Sequence, residues 1–450
     1  MMRRRSGELA ALLGATLLGP ADAPVEEVAI DSRQVERGNL FVALPGERSD
    51  GHEFVGDAAR RGAAAALVSR RLSTPLPQLL VADTLAALHK LAAAERDRGQ
   101  FRLAAVTGSV GKTSTKELLA ALLATTYPTG RTCASRNSQA GFPAELCNQS
   151  DGIAWMVAEL GMNHAGELDR LGRIARPDAL LYTVVAPVHL EFFADLDGIA
   201  EAKAELIAHL HPQGLLVLNA ADARVARFAA RFCGTTKRYG LANASDYWIE
   251  EYTSRGVLGS RFVLRGEGLQ VAIDWSLPGR HSADNLLAAA ACALSLGVPA
   301  AAVAPCAATA TPPPRRGVVH HLAGGATLVD DSYNASPVAV QRALELLGET
   351  PGRRVAVLGE MLELGPAAPT FHAQVGAAAG RVAAVVVAVG GENAAAIATA
   401  AAPAEVHLAA DAAAAVPLLR RLLRPGDVVL VKGSRGIGLD RLVDAILEEG

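Results

Sequence analysis

The amino-acid sequence predicts an α/β protein of three domains, and three observations carry that prediction. The chain has 450 residues, half of them hydrophobic, which is material for several cores. Short apolar runs alternate with longer helical patterns from about residue 101 onward, the mark of mostly parallel sheets with crossover helices. Two linker-like stretches, Gly99-Gln100 and Thr309–Pro314, divide the chain into 1–100, 101–311 and 312–450.

Composition narrows the class further. Aromatics make up only 4%, so the cores must be built from Ala, Val and Leu. A net charge of −3 argues against a nucleic-acid footprint or a polybasic membrane patch. Membrane spans need roughly 20 apolar residues, and no run approaches that. The five cysteines are scattered and form no CxxC, which suggests neither disulfides nor zinc and fits the cytoplasm. Arg3-Arg4-Arg5 followed by Leu9–Leu18 mimics a secretory signal, but Glu8, Gly14 and Gly19-Pro20 interrupt it; a short helix capped by Ser6 explains the same residues.

In the first domain, Val28, Ile30, Leu40–Val42 and Leu44 read as short strands around the turn Glu36–Asn39. Ala65–Val68 and Gln78–Val81 read as further strands, and Ala86–Arg98 as a helix. Asp31-Ser32-Arg33 and Asp50-Gly51-His52 fall in polar loops at strand ends.

The second domain opens on its most informative stretch. Strand Leu103–Val106 runs into Thr107-Gly108-Ser109-Val110-Gly111-Lys112-Thr113, and a helix follows from about Ser114. Strand, glycine-bearing turn and helix N-terminus make an anion site from converging N–H groups and the helix dipole. Lys112 can reach terminal phosphates, and the Thr113 hydroxyl can hold Mg²⁺. Strand Trp155–Ala158 ends on Glu159, strand Leu180–Val185 leads to His189, and Leu215–Leu218 ends on Asn219. Ligands gather beyond the carboxyl ends of such strands, so Glu159 and His189 fall on the same edge as the phosphate loop. Lys203 lies in the helical pattern Gly198–His209. Three strands between 237 and 275 read as an antiparallel excursion, after which Asn285 sits early in an alanine-rich helix.

The third domain alternates again, as a Rossmann-like α/β unit. Its loops Asp330–Asn334, Gly359–Met361 and Lys432–Arg435 follow strands and are polar enough to suggest a site.

Taken together, these pieces resemble the Mur ligases, the ATP-dependent amide-forming enzymes of peptidoglycan precursor synthesis. The resemblance runs from Asp31-Ser32-Arg33 to Lys432-Gly433-Ser434-Arg435. It is carried most specifically by Thr107–Thr113, Glu159–His164, His189-Leu190-Glu191, Ala202-Lys203, Leu277–His281 with Asn285, and Asp330–Ala335. Asp50-Gly51-His52, Met162–His164 with Gly166-Glu167, and Asp331–Ala335 are similar to the branch that adds a dipeptide; the Asp-Asn-Pro-Arg motif of the branch adding diaminopimelate or lysine is absent.

The resemblance implies ATP and Mg²⁺ as cofactors, with UDP-N-acetylmuramoyl-tripeptide and D-alanyl-D-alanine as substrates of a monomer. It implies that Thr107–Thr113 cradles the ATP phosphates, that Thr113 and Glu159 serve one Mg²⁺, and that His189 serves a second. Lys203 matches a lysine carbamylated in related ligases, Asn285 an adenine-side asparagine, and Arg316 an arginine reaching the γ-phosphate. Asp331 would lie near the ribose, and Tyr333 and Asn334 near the dipeptide. Ser32 and Arg33, with Asp50, Gly51 and His52, mark the uridine-nucleotide side. The 312–450 domain would close on ATP about a hinge at Thr311–Pro314.

Three positions depart from the family pattern. Its asparagine-rich stretch reads Ser135–Pro143 here and keeps Asn137, Gly141 and Pro143. The Thr-Asn often found before the metal histidine is Thr183-Val184, and Arg315 replaces the glycine before Arg316. A ligase for single amino acids and a nucleotide-binding scaffold without turnover are the alternative readings.

Overall fold

A computed structural model describes residues 3–46 and 49–448. Three large sheets organise them, beside a two-stranded pair of Arg4–Arg5 with Pro24–Val25. The first has five strands in the order Thr16–Leu18, Gln78–Leu80, Ala65–Val68, Asn39–Val42, Glu27–Ala29, parallel except for the first pair. The segments read as strands around Glu36–Asn39 are therefore parallel neighbours and not a hairpin. The 3₁₀ turn Ser32–Gln34 lies between them, with Asp31 accepting the Arg33 N–H as its cap. The N-terminal helix spans Ser6–Leu13, but Ser6 is not its cap. Arg5 occupies the cap position, while buried Ser6 donates its hydroxyl to the Pro20 carbonyl.

The second sheet has nine strands. Strand Arg102–Thr107 is central, between Trp155–Glu159 and Ala179–Tyr182, all parallel. Leu215–Asn219 and Thr235–Gly240 extend the parallel part on one side and Thr129–Arg131 edges it on the other; Tyr247–Ser254 joins Thr235–Gly240 in parallel, and Ser260–Gly266 and Leu269–Trp275 follow it antiparallel to complete the sheet. The central strands are buried on both faces, which is why they read as continuous apolar runs. Helix Arg280–Ser295 packs beside the phosphate-loop helix Lys112–Ala124, and its run of buried alanines permits close approach.

The third sheet has six strands. Thr327–Asp330, Asp427–Lys432 and Arg353–Gly359 are adjacent and parallel, so the loops after all three emerge at one edge. An edge strand Val318–His321, not anticipated from sequence, pairs antiparallel with Thr327–Asp330.

The cores differ in extent. One apolar cluster runs without a break from Leu9 through Leu91 to Leu180 and Phe228, so the first two sheets share a core. Asn148 reinforces this junction by bonding both the N–H and the carbonyl of Val28. The two clusters built on the third sheet are drawn from that sheet and its helices, with Val257 the one partly buried outsider. The third unit thus has cores of its own and meets the other two mainly through polar contacts, Val257 apart.

Candidate active site

The phosphate loop is shaped by what lies against its glycines. Gly108 has φ +142°, and a Cβ there would stand 1.9 Å from Thr183 Oγ1. Thr183 donates that hydroxyl to the Val110 carbonyl at 2.7 Å, and Ser109 donates its N–H to Val184. The expected strand Leu180–Val185 ends early, at Tyr182, because residues 183–186 turn onto the loop and bond it instead. Gly111 has φ +85°, and its missing Cβ leaves room for Asn285 Oδ1, which accepts from Thr115 at 3.3 Å. Thr107 is buried and donates to Leu160. These contacts define a loop that only small residues fit. Gly108→Ala is expected to raise the KM for ATP at least about tenfold and to lower Tm, because both the backbone conformation and the space are unavailable to alanine; steady-state kinetics and calorimetry check it.

Around this loop the side chains converge. Thr113 Oγ1 donates to Glu159 Oε2 at 2.7 Å, and Asn137 Nδ2 donates to Glu159 Oε1 at 2.5 Å. Glu159 is buried and its backbone N–H is held by Thr132. A hydroxyl and a carboxylate side by side are hard oxygen donors of the kind Mg²⁺ takes. Among the described residues no group of three or more His, Cys, Asp or Glu side chains gathers into a metal cluster. His189, in a left-handed conformation at φ +56°, pairs through Nδ1 with Glu363 of the third unit at 2.5 Å.

Two lysines face the loop with no carboxylate bonded to them. Partly buried Lys112 donates only to the Ser109 carbonyl, at 3.2 Å. Desolvation lowers its pKa, opposed by the charge of Glu159 and reinforced by Arg316. Lys203 is buried in the helix Leu196–Ala204, and desolvation holds its pKa well below the usual lysine value, with Lys112 adding to the effect. An amine whose pKa is lowered on folding opposes stability when it must be charged. The penalty fades as pH rises toward the unfolded value of 10.5. Lys203→Met is therefore expected to abolish turnover yet raise Tm by about 2–4 °C at neutral pH. That difference narrows as the pH is raised, and thermal unfolding followed across pH 6–10 measures it.

The third unit reaches this centre with Arg316. Its guanidinium donates to Ser135 at 3.3 Å and lies over the Tyr333 ring at 4.1 Å. Its neighbour Arg315 instead bonds Asp330 and Asp444 within the same unit, which separates the two arginines by role. Asp331 forms an ion pair with Lys432 at 2.6 Å, and Lys432 also donates to the Asn334 carbonyl.

A cavity of about 870 Å³ opens between the first two units, lined by Leu44, Ser69, Thr84, Asn137, Gly161 and Asn163 among others. Asn137 thus touches both the cavity and Glu159. Asp50, Gly51 and His52 stand behind its wall. His52 is buried, pairs through Nδ1 with Asp50 at 2.6 Å and accepts the Ser69 N–H on Nε2. A Cβ on Gly51 would collide with the Leu44 backbone at 2.7 Å. Arg33 is largely exposed and bonds Asp31, whose pKa it lowers, and Ser32 opens the same 3₁₀ turn. Arg136, from the loop that carries Asn137, donates to Gln34 of that turn.

Sequence reasoning gave no role to Ser135 or Thr183, which it noted only as departures from the family pattern, and did not single out Glu363. Each works through a contact between segments far apart in the chain, and a lone Ser, Thr or Glu in a loop carries no local signal.

A phosphate loop, a strand-end carboxylate and an arginine from a separate unit define a nucleotide-dependent ligase, and the comparisons with known proteins agree. The Mur ligase middle domain matches residues 106–293, the Mur ligase glutamate ligase domain residues 315–435, and the Mur ligase family catalytic domain residues 24–124. The chain belongs to the Mur ligase family. It is 37% identical to the UDP-N-acetylmuramoyl-tripeptide--D-alanyl-D-alanine ligase of Escherichia coli, over 98% of each chain. It is similar to the crystal structure of MurF from Acinetobacter baumannii at a TM-score of 0.90 and 30% identity, covering 100% of this chain and 99% of that one. The MurF ligase of Thermotoga maritima in complex with ADP matches at 0.81 and 29%, covering 94% and 98%.

Proposed function

We propose that this ATP-dependent ligase joins D-alanyl-D-alanine to UDP-N-acetylmuramoyl-tripeptide in peptidoglycan precursor synthesis. The observation that carries the reading is full-length similarity to ligases named for that reaction, with Lys112, Glu159 and Arg316 converging on one loop. When bound, Mg²⁺-ATP supplies the phosphoryl group that turns the peptide's terminal carboxylate into an acyl phosphate, which the dipeptide amine then attacks.

The chain's own residues do the positioning. Gly108, Ser109, Val110 and Gly111 present backbone to the phosphates; Thr107 anchors the loop. Lys112 and Arg316 offset the charge where two anions meet. Thr113 and Glu159 would hold the metal between them, and His189 and a carbamylated Lys203 would complete a second site; a neutral buried amine is the form that reacts with carbon dioxide. Asn285 flanks the nucleotide base and Asp331 its ribose. The cavity beside Asn137 would take the UDP-linked peptide and bring its carboxylate toward Glu159, with Ser32, Arg33 and the Asp50-Gly51-His52 support at its uridine end. Tyr333 and Asn334 face the dipeptide.

The units 1–100, 101–311 and 312–450 serve as UDP-substrate, ATP and closing domains, a division supported by the three sheets. The protein would act in the cytoplasm as a monomer. Incubation of the purified protein with ATP, UDP-tripeptide and D-alanyl-D-alanine tests the reading: UDP-pentapeptide by mass spectrometry supports it, and its absence with all three present overturns it.

A further inference from the structure

The loops that end strands Thr327–Asp330 and Asp427–Lys432 form a second cationic feature, whose basic residues Lys432 and Arg435 none of the roles above uses. Lys432, 4% exposed, clamps the two loops together through Asp331 and the Asn334 carbonyl. Beyond this clamp, Arg435 reaches back across the gap. Its Nη1 donates to the Tyr333 hydroxyl at 3.2 Å, and its guanidinium carbon is 5.4 Å from the ring centroid. The same ring carries Arg316 at 4.1 Å. One tyrosine therefore links two guanidinium groups. Arg316 bonds Ser135, which contacts Thr113 of the phosphate loop, whereas Arg435 is exposed and forms no ion pair among the described residues. Leu362, exposed at 45%, borders the same loop beside Gly436.

We infer that Arg435 is the anchor for the free carboxylate of the incoming amine substrate, with Tyr333 and Leu362 beside its small apolar side chains. The inference rests on the ligase reading above. Guanidinium groups match carboxylates in a planar, two-pronged way, and one held by a tyrosine is already ordered. Spacing favours a dipeptide. The amine must lie on the Arg316 side, where the acyl phosphate forms. A dipeptide places its carboxylate roughly 7 Å from its amine, long enough to pass the ring that both guanidinium groups contact, at 4.1 and 5.4 Å from its centroid, whereas a single amino acid reaches less far. Arg435 would thus set the length of the accepted amine as well as its charge.

The test compares D-alanyl-D-alanine with D-alanyl-D-alaninamide, which lacks the carboxylate, in wild type, Arg435→Met and Arg435→Lys. In wild type, kcat/KM is expected to favour the free acid at least tenfold, through KM. Arg435→Met should erase that preference to within about twofold, Arg435→Lys should restore part of it, and the KM for ATP should stay within about twofold in all three, which also reports an intact fold. A preference undiminished in Arg435→Met overturns the anchor. Failure of the wild type to turn over D-alanyl-D-alanine at all overturns the ligase reading instead.

Discussion

Lys112→Ala is expected to lower kcat by about 10³-fold or more while leaving the fold intact or slightly stabilised. In the folded chain this amine is poorly served: its hydrogen bond is a 3.2 Å contact to the carbonyl of Ser109 in its own loop. Desolvation lowers its pKa, so its charge is held at a cost to the fold. Such a group is stabilised only when a polyanion arrives, and the interaction strengthens as phosphoryl transfer concentrates charge. Removing one preorganised donor from such a centre typically costs about 10²–10³, and a cation facing phosphate more. ADP-release kinetics with calorimetric Tm separate the two consequences; a parallel fall in stability and turnover would mean that Lys112 is structural.

The second large effect is expected at Arg316. Arg316→Ala should reduce kcat by about 10²–10³ with a smaller change in ATP affinity, since the residue comes from the third unit to Ser135, which contacts Thr113 of the phosphate loop. Arg316→Lys should recover little, because an ammonium cannot stack on Tyr333 as the planar guanidinium does. Arg315→Ala supplies the contrast. It removes ion pairs to Asp330 and Asp444 inside the third unit, so it should lower Tm more than turnover. Kinetics and thermal unfolding of the three variants distinguish these outcomes.

The features legible from sequence were those whose chemistry is written locally. A strand, a glycine turn and a Lys-Thr pair announce a phosphate loop anywhere, and Glu159 is marked by its place at a strand end. The antiparallel strands between 247 and 275 were visible because they alternate and are separated by turns. What escaped depends on pairs distant in the chain. The need for glycine at position 108 is set by Thr183, 75 positions away, and that contact also ends the strand expected to continue to Val185. Ser6 resembled a helix cap, yet its hydroxyl is drawn to Pro20, so a tertiary bond overrode a local preference. The Asp50-Gly51-His52 run is motif-like, but its side chains brace Ser69 and its glycine clears Leu44. Of the eroded asparagine stretch, the retained Asn137 is the residue that bonds Glu159, which explains how the site keeps its carboxylate oriented despite the losses.

Mobility follows from the same partition of contacts. The first two units share a core, while the third meets them through Arg316, the His189–Glu363 pair and Ser254–Glu349. Closure as proposed above would involve few contacts, most of them polar, with Val257 packed against the third unit's core as the apolar one.

The most direct measurement is the stoichiometry of ADP released to amide formed by the purified protein, supplied with ATP, Mg²⁺, UDP-N-acetylmuramoyl-tripeptide and either D-alanyl-D-alanine or single amino acids. The account predicts one ADP per UDP-linked pentapeptide, only when the dipeptide is present. Turnover with single amino acids alone, or ADP release that ignores the dipeptide, would contradict it.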